Sequence, residues 1–140
     1  MMLLDTNVLS ELMRQIPDSS VVAWLDRRPG SDFYISSVTR AEIEVGIALL
    51  PEGRRKQALQ EAAARMLEEF RGRCVAFDES AASRYAVLVA ARMRGGQTIN
   101  VEDAQIAAVA LAGGFTLVTR STGDFEGIDG LRVVDPWAAS

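Results

Sequence analysis

The chain has no histidine in 140 residues. That absence excludes a histidine general base, a serine-histidine-aspartate triad and a histidine-ligated zinc centre, and it leaves carboxylate and hard-cation chemistry. Cysteine is nearly absent as well. The single one, Cys74, cannot form an internal disulfide, which agrees with a reducing compartment, and its neighbours Val75 and Phe77 predict a buried, unreactive thiol. No apolar run approaches the length that spans a bilayer, and the N-terminus lacks the basic start and small-residue cleavage site of a secretory signal. The expected location is therefore the cytoplasm, with no membrane partner. Lysine is confined to Lys56; the other 14 of the 15 basic residues are arginine, the better bidentate ligand for phosphate or carboxylate. A net charge of -4 weakens long-range attraction to nucleic acid but leaves local contacts open. Aromatic residues are few, and Trp24, Tyr34 and Trp137 read as core or interface residues rather than a base-stacking platform.

What the chain does contain is core material. With 49% hydrophobic and 24% charged residues, its length suits one compact domain over residues 1-140. The four apolar residues of "MMLLDTNVLSE" predict a short buried strand that ends at Asp5, and Val8, Leu9, Leu12 and Met13 follow at helical spacing. Pro17-Asp18-Ser19-Ser20 breaks the chain and caps a second helix, which stops before Pro29-Gly30. "DFYIS" reads as a strand, Ser36 or Ser37 as the cap of the helix "VTRAEIEVGIALL", and Leu59 to Phe70 as an amphipathic surface helix. "CVAF" is a short strand, and a helix from Glu79 to Arg94 closes at Gly95-Gly96. "NVEDAQIAAVALA" is a further helix closing at Gly113-Gly114, and "FTLVT" and "LRVV" are strands joined by a loop. Strands separated by pairs of helices imply an α/β fold in three layers, a central parallel sheet flanked by α-helices.

The carboxyl ends of parallel strands are where ligands bind, so the acid in "LLDTN" is either a cap for the next helix or part of a site. Three other acids bear on that choice. Glu42 has Val38 and Gly46 one turn away, a small apolar face unusual for a solvated glutamate, whereas Glu44 on another face is the ordinary surface member. Asp103 stands three residues after Asn100 at the start of an apolar helix, where a capping role is the plain alternative. Asp124 lies just past a strand end, where a plain loop aspartate is the alternative. If the first strand and "FTLVT" are neighbours at a switch point, Asp5 and Asp124 share one sheet edge with the start of the Asp103 helix, and Glu42 can reach the same crevice. Four carboxylates in a dry pocket repel one another unless a cation neutralises them. An all-oxygen donor set selects Mg2+ or Mn2+, ions suited to phosphate chemistry with an activated water.

These stretches carry a family resemblance. "LLDTNVLSE", "SSVTRAEIEVG", "NVEDAQIAAVA" and "TLVTRSTGDFEGIDGLRVVDPW" resemble, in order and spacing from Met2 to Trp137, the motifs of PIN-domain ribonucleases, in particular the VapC and FitB-like toxins of bacterial toxin-antitoxin pairs. The resemblance implies a Mg2+- or Mn2+-dependent endoribonuclease that cuts single-stranded or loop regions of RNA. It implies a dimer or a toxin-antitoxin hetero-oligomer silenced by a small antitoxin. It assigns the acidic cluster to Asp5, Glu42, Asp103 and Asp124, supported through hydrogen bonds by Thr6, Asn7 and Thr119. The chain departs from the pattern at Ser121, where the family commonly has asparagine; a serine reaches less far, which bears on the geometry around Asp124. Arg40 and Arg120, each beside an acidic motif, are candidates for holding RNA phosphates or surface arginines.

Rival readings fail on particular residues. A haloacid-dehalogenase-type phosphatase needs an acid two positions after the first aspartate, and Asn7 stands there. A response-regulator receiver needs a lysine near the end of the sheet, and Lys56 falls in a surface helix. The remaining alternative is a catalytically inactive PIN-type module that binds RNA or protein, for which Ser121 is the only sequence support.

Overall fold

The computed structural model describes residues 1–138. Strand β1 (Met2–Leu4) leads through Asp5 into α1 (Thr6–Leu12), followed by α2 (Ser19–Asp26) and β2 (Phe33–Ser36). Helices α3 (Ser37–Ala48) and α4 (Arg54–Glu69) precede β3 (Cys74–Val75), and α5 (Glu79–Arg94) and α6 (Val101–Gly113) precede β4 (Thr116–Val118). The last strand among the described residues is β5 (Val133–Val134). The five strands form a parallel sheet in the order β3-β2-β1-β4-β5. Chain order therefore reverses direction between β1 and β4, the switch point anticipated from the sequence.

Local chemistry accounts for the helix boundaries. Asp18 accepts a hydrogen bond from the Ser20 N–H to start α2, Ser36 from the Thr39 N–H to start α3, and Asn100 from the Asp103 N–H to start α6. Helix α6 ends at Gly114, whose φ of +70° is left-handed, so Phe115 N–H can reach back to the Ala110 carbonyl at 2.9 Å. The stretch expected to be a loop before β5 contains a 3-10 turn, Thr122–Phe125, pinned by the buried Phe125 ring. The strands are shorter than their apolar runs, because only part of each run lies in the ladder.

Strand alternation divides the core. Leu3 and Leu117, paired in register, point to a layer with Leu88, Ile106, Val109 and Phe125 from α5, α6 and the 3-10 turn. Leu4 and Val118 point the other way, to Val8, Leu9, Trp24, Ile35, Ile43 and Phe70. Each of these fully buried leucines contributes about 1.5–3 kcal/mol from leaving water, which pins the register of β1 against β4. The Trp24 reading as core holds: its ring packs 6.3 Å from Phe33. The Cys74 expectation does not, since the residue is exposed. It sits on β3, one of the two edge strands, and among the described residues no further strand shields that edge.

Candidate active site

Asp5 follows β1 directly, and its own N–H continues the ladder by donating to the Val118 carbonyl at 2.9 Å. Its extended backbone (φ -70°, ψ 162°) carries the alternation one step further, so its side chain emerges on the face of Leu3. Thr119, after β4, is the matching residue on that strand and is 0% exposed. The Thr119 hydroxyl donates to Asp5 Oδ2 at 2.7 Å and accepts from Asn7 Nδ2 at 3.1 Å and from the Ser121 N–H at 3.0 Å. Asp5 Oδ1 accepts from the Thr6 N–H at 2.8 Å and so caps α1. The cap and site readings of this aspartate are both satisfied by one residue, because a carboxylate has lone pairs to spare after two such bonds.

Glu42 reaches the pocket from α3, where its Oε1 accepts from the Thr6 hydroxyl at 2.6 Å. Asp103 reaches it from the first turn of α6. It exchanges two bonds with Asn100: its N–H donates to Asn100 Oδ1 at 2.7 Å, and Asn100 Nδ2 donates to its Oδ2 at 2.9 Å. The capping role is real here too. Asn7 Nδ2 also lies 3.2 Å from Ser121 Oγ, so the serine takes part in the network that holds Thr119.

A cavity of about 580 Å3 is lined by Asp5, Thr6, Asn7, Glu42, Asp103 and Ser121, together with Ser10, Glu11, Arg14, Arg120 and Trp137. Three of the four expected acids are thus brought together. Asp124 is not among the lining residues; it is exposed on the 3-10 turn, where its carbonyl, and that of Glu126 just beyond the turn, accept from Arg92 Nη2 at 3.4 and 2.8 Å. Its charge is still felt in the pocket. Asp103 is pushed up to about 6 from an ordinary 3.8, first by burial and then by the negative charges of Asp5 and Asp124, with Glu42 adding less and Asn100 pulling down. Burial also raises Asp5, against the lowering bonds from Thr119 and Thr6, and Asp124 raises it further.

Of the two readings offered for Arg40, the structure supports the surface arginine. It pairs with Glu44 at 2.9 Å on the exposed face of α3 and lines a separate groove with α4, so it takes no part in this pocket. Arg120 does line it. Trp137 combines two roles: half-buried against the second core layer, it also forms part of the pocket wall. Sequence reasoning passed over Glu11 and Arg14. For Glu11 the signal was present, since it falls four residues after Asn7 and so shares a face of α1 with a residue already singled out, whereas Arg14 lies in the turn beyond the helix and gave no such signal.

The donor set suits a hard divalent cation. Every acid in the pocket offers oxygen, no histidine or thiol competes, and burial together with neighbouring negative charge raises the Asp103 and Asp5 carboxyls, a cost that a bound cation would offset. Among the described residues, no three acidic or other ligating side chains stand close enough to clasp one ion by themselves.

Comparison with known proteins bears on the family and the fold. The PIN domain family model matches residues 2–131. The chain is 44% identical to plasmid stability protein StbB of Pseudomonas syringae pv. tomato, over 99% of this chain and 100% of the relative. It is 40% identical to VapC ribonuclease Y4jK of Sinorhizobium fredii, over 98% of each chain. It is 42% identical to toxin FitB of Neisseria gonorrhoeae, over 98% of this chain and 99% of the relative. The crystal structure of FitAcB from Neisseria gonorrhoeae superposes with a TM-score of 0.91 at 41% identity, covering 99% of this chain and 100% of that one.

Proposed function

The chain belongs to the PIN-domain family, and from that premise we propose that it is a Mg2+- or Mn2+-dependent endoribonuclease, the toxin of a toxin-antitoxin pair. The observation that carries the reading is the meeting of Asp5, Glu42 and Asp103 in one pocket at the carboxyl edge of the sheet, where burial and then the charges of Asp5, Asp124 and Glu42 raise Asp103. Residues 1-140 then act as a single catalytic domain.

A divalent cation bound there supplies neutralising charge and a more acidic water for attack on a phosphodiester. Asp5 and Asp103 would hold it, directly or through water, with Glu42 beside them. Asp124 lends charge from outside the pocket wall or serves a second, weaker position. Thr119 and Thr6 fix the Asp5 carboxylate through its two oxygens, which keeps its rotamer ready without a change on binding. Thr6 fixes Glu42 in the same way. Asn7 and Ser121 hold Thr119 in place, one bond removed from the acids. No step needs a histidine.

The partner reading is supported by the names of similar proteins: FitB is a toxin, and a solved structure of similar fold is a toxin-antitoxin complex from Klebsiella pneumoniae. An apolar groove lined by Val38, Ala41, Val45 and Gly46 adjoins Glu42 and offers a surface for an antitoxin segment or a second copy. Among the described residues no helix is long and apolar enough to cross a membrane, which fits a cytoplasmic site of action.

The test is cleavage of total cellular RNA by purified, antitoxin-free protein with Mg2+ or Mn2+, beside EDTA and an Asp5→Asn control. Discrete cuts that require both metal and Asp5 are expected, and end mapping identifies the RNA. Metal binding by calorimetry without cleavage would instead favour an inactive binding module.

A further inference from the structure

An acidic pocket that works on RNA has an electrostatic problem. The substrate carries one negative charge per nucleotide, the chain carries -4, and the pocket concentrates carboxylates, so a phosphate approaching Asp5 meets repulsion unless cations stand nearby. A single bound divalent ion answers the pocket's own acids. It leaves little for the phosphates that flank the reacting one.

Of the 14 arginines, Arg14 and Arg120 line the same cavity as Asp5, Glu42 and Asp103. Each is held by a device that leaves donors free. Arg14, in the turn after α1, gives Nη1 to both oxygens of Glu11, at 3.3 and 3.2 Å. Glu11 is a firm anchor: it is 7% exposed and also accepts from the Asp18 N–H at 2.9 Å, while the Arg14 side chain stays 66% exposed. Among the described residues Arg14 Nη2 and Nε make no hydrogen bond. Arg120 is held differently. Its guanidinium lies 5.1 Å from the centroid of the Trp137 ring, and its backbone N–H donates to Asn7 Oδ1 at 3.3 Å. Stacking on an aromatic face orients the guanidinium plane without using any of its five N–H donors. None of them bonds another protein group among the described residues.

We infer that Arg14 and Arg120 form a phosphate-binding rim around the acidic pocket, gripping the backbone of single-stranded RNA at phosphates next to the one that reacts. The inference rests on the nuclease reading and adds to it where the strand is held. Glu11 and Trp137 are positioning residues for the two guanidinium groups. The rim is selective among arginines: Arg40, ion-paired to Glu44 on the far side of α3, is outside it.

The experiment is fluorescence anisotropy of a labelled, mixed-sequence single-stranded oligoribonucleotide bound by the Asp5→Asn protein, over a series of KCl concentrations. Arg14→Gln and Arg120→Gln, each added to that parent, are expected to weaken binding about tenfold, the scale of a hydrogen bond to a charged group. Each should also reduce the slope of log K against log salt by about 0.7 for one lost phosphate contact on a single strand. Arg120→Lys should keep most of the slope, because the charge remains, while losing affinity with the fork geometry. Arg40→Gln should change neither. Circular dichroism of each variant checks the fold. Parent-like affinity and slope in both Gln variants overturn the rim, as does an equal fall in Arg40→Gln, which would reduce the effect to net charge, or absence of RNA binding by the parent. Failure of the nuclease reading is separate: wild-type protein that cuts no RNA sinks that reading even where the rim arginines set the salt slope.

Discussion

Thr6 and Glu42, on helices α1 and α3, are joined by a hydrogen bond of 2.6 Å that links the residue after Asp5 to a second pocket acid. Thr6 Oγ1 also lies 3.1 Å from Thr39 Oγ1, on a residue that is 0% exposed. A hydroxyl has one proton. If Thr6 gives its proton to the carboxylate, the bond to Thr39 must run the other way, with Thr39 donating. One small residue therefore satisfies a buried hydroxyl and orients an acid.

Thr6→Val keeps the shape of the side chain and removes both bonds. The expected loss is about 1–3 kcal/mol of stability, the scale for leaving a buried polar partner unpaired. Urea unfolding measures it. Calorimetric titration with Mn2+ should show weaker binding as well, by about 10- to 100-fold if Glu42 depends on Thr6 for its orientation. Unchanged metal affinity would mean that Glu42 is either misassigned or held by other means.

The raised Asp103 carboxyl makes stability depend on pH in a definite direction. Its folded value, about 6, lies above the ordinary 3.8, so between those limits the folded state binds more protons than the unfolded one. The contribution is fully present below about pH 4 and is lost as pH rises through about 6 in metal-free protein. Asp5, shifted the same way, adds to the trend. Denaturant midpoints across this range should fall with rising pH, and Asp103→Asn should flatten the curve. Metal binding competes with a proton on the raised Asp103 carboxyl, so Mg2+ should stabilise the protein more at pH 7 than at pH 5.

Asp124→Asn should be milder than Asp5→Asn. Its carboxylate lies outside the pocket wall on an exposed turn and acts on Asp103 and Asp5 through charge. A fall in cleavage of about 10- to 100-fold is expected, the range typical of groups that tune a metal site without holding it. Asp5→Asn should reduce cleavage to background. Side-by-side rates on one RNA decide the point, and equal losses would place Asp124 among the direct ligands.

Gly113→Ala tests the packing behind the site. A methyl group on Gly113 would collide with the Phe115 ring, so the ring must shift within the layer that α6 shares with β4. Overpacking of this kind costs about 1–3 kcal/mol, which a thermal melt resolves. Cleavage measured well below the melting point should change little, because Gly113 lies at the end of α6 remote from Asp103.

Much of this protein follows from interactions within a few residues of each other. Apolar runs bounded by Pro, Gly and Asp-Ser clusters give strands and helices in the right order, and Asp18 and Asn100 cap helices wherever the chain is placed. The convergence of Asp5, Glu42 and Asp103 was also legible, because strand-helix alternation forces a parallel sheet whose carboxyl ends share one edge. What lay outside the sequence is which side chains other elements cover. Cys74 has apolar neighbours and is nonetheless exposed, because β3 is an edge; Glu11 looks like a surface acid and is buried by the chain that carries Asp18. Arg40 and Arg120 stand equally near acidic motifs, yet only Arg120 lines the pocket. Local hydrogen bonding is decided by neighbours along the chain and can be read from their order. Burial and charge environment depend on partners distant in sequence, such as Trp137 beneath Arg120, and the tertiary fold alone determines those.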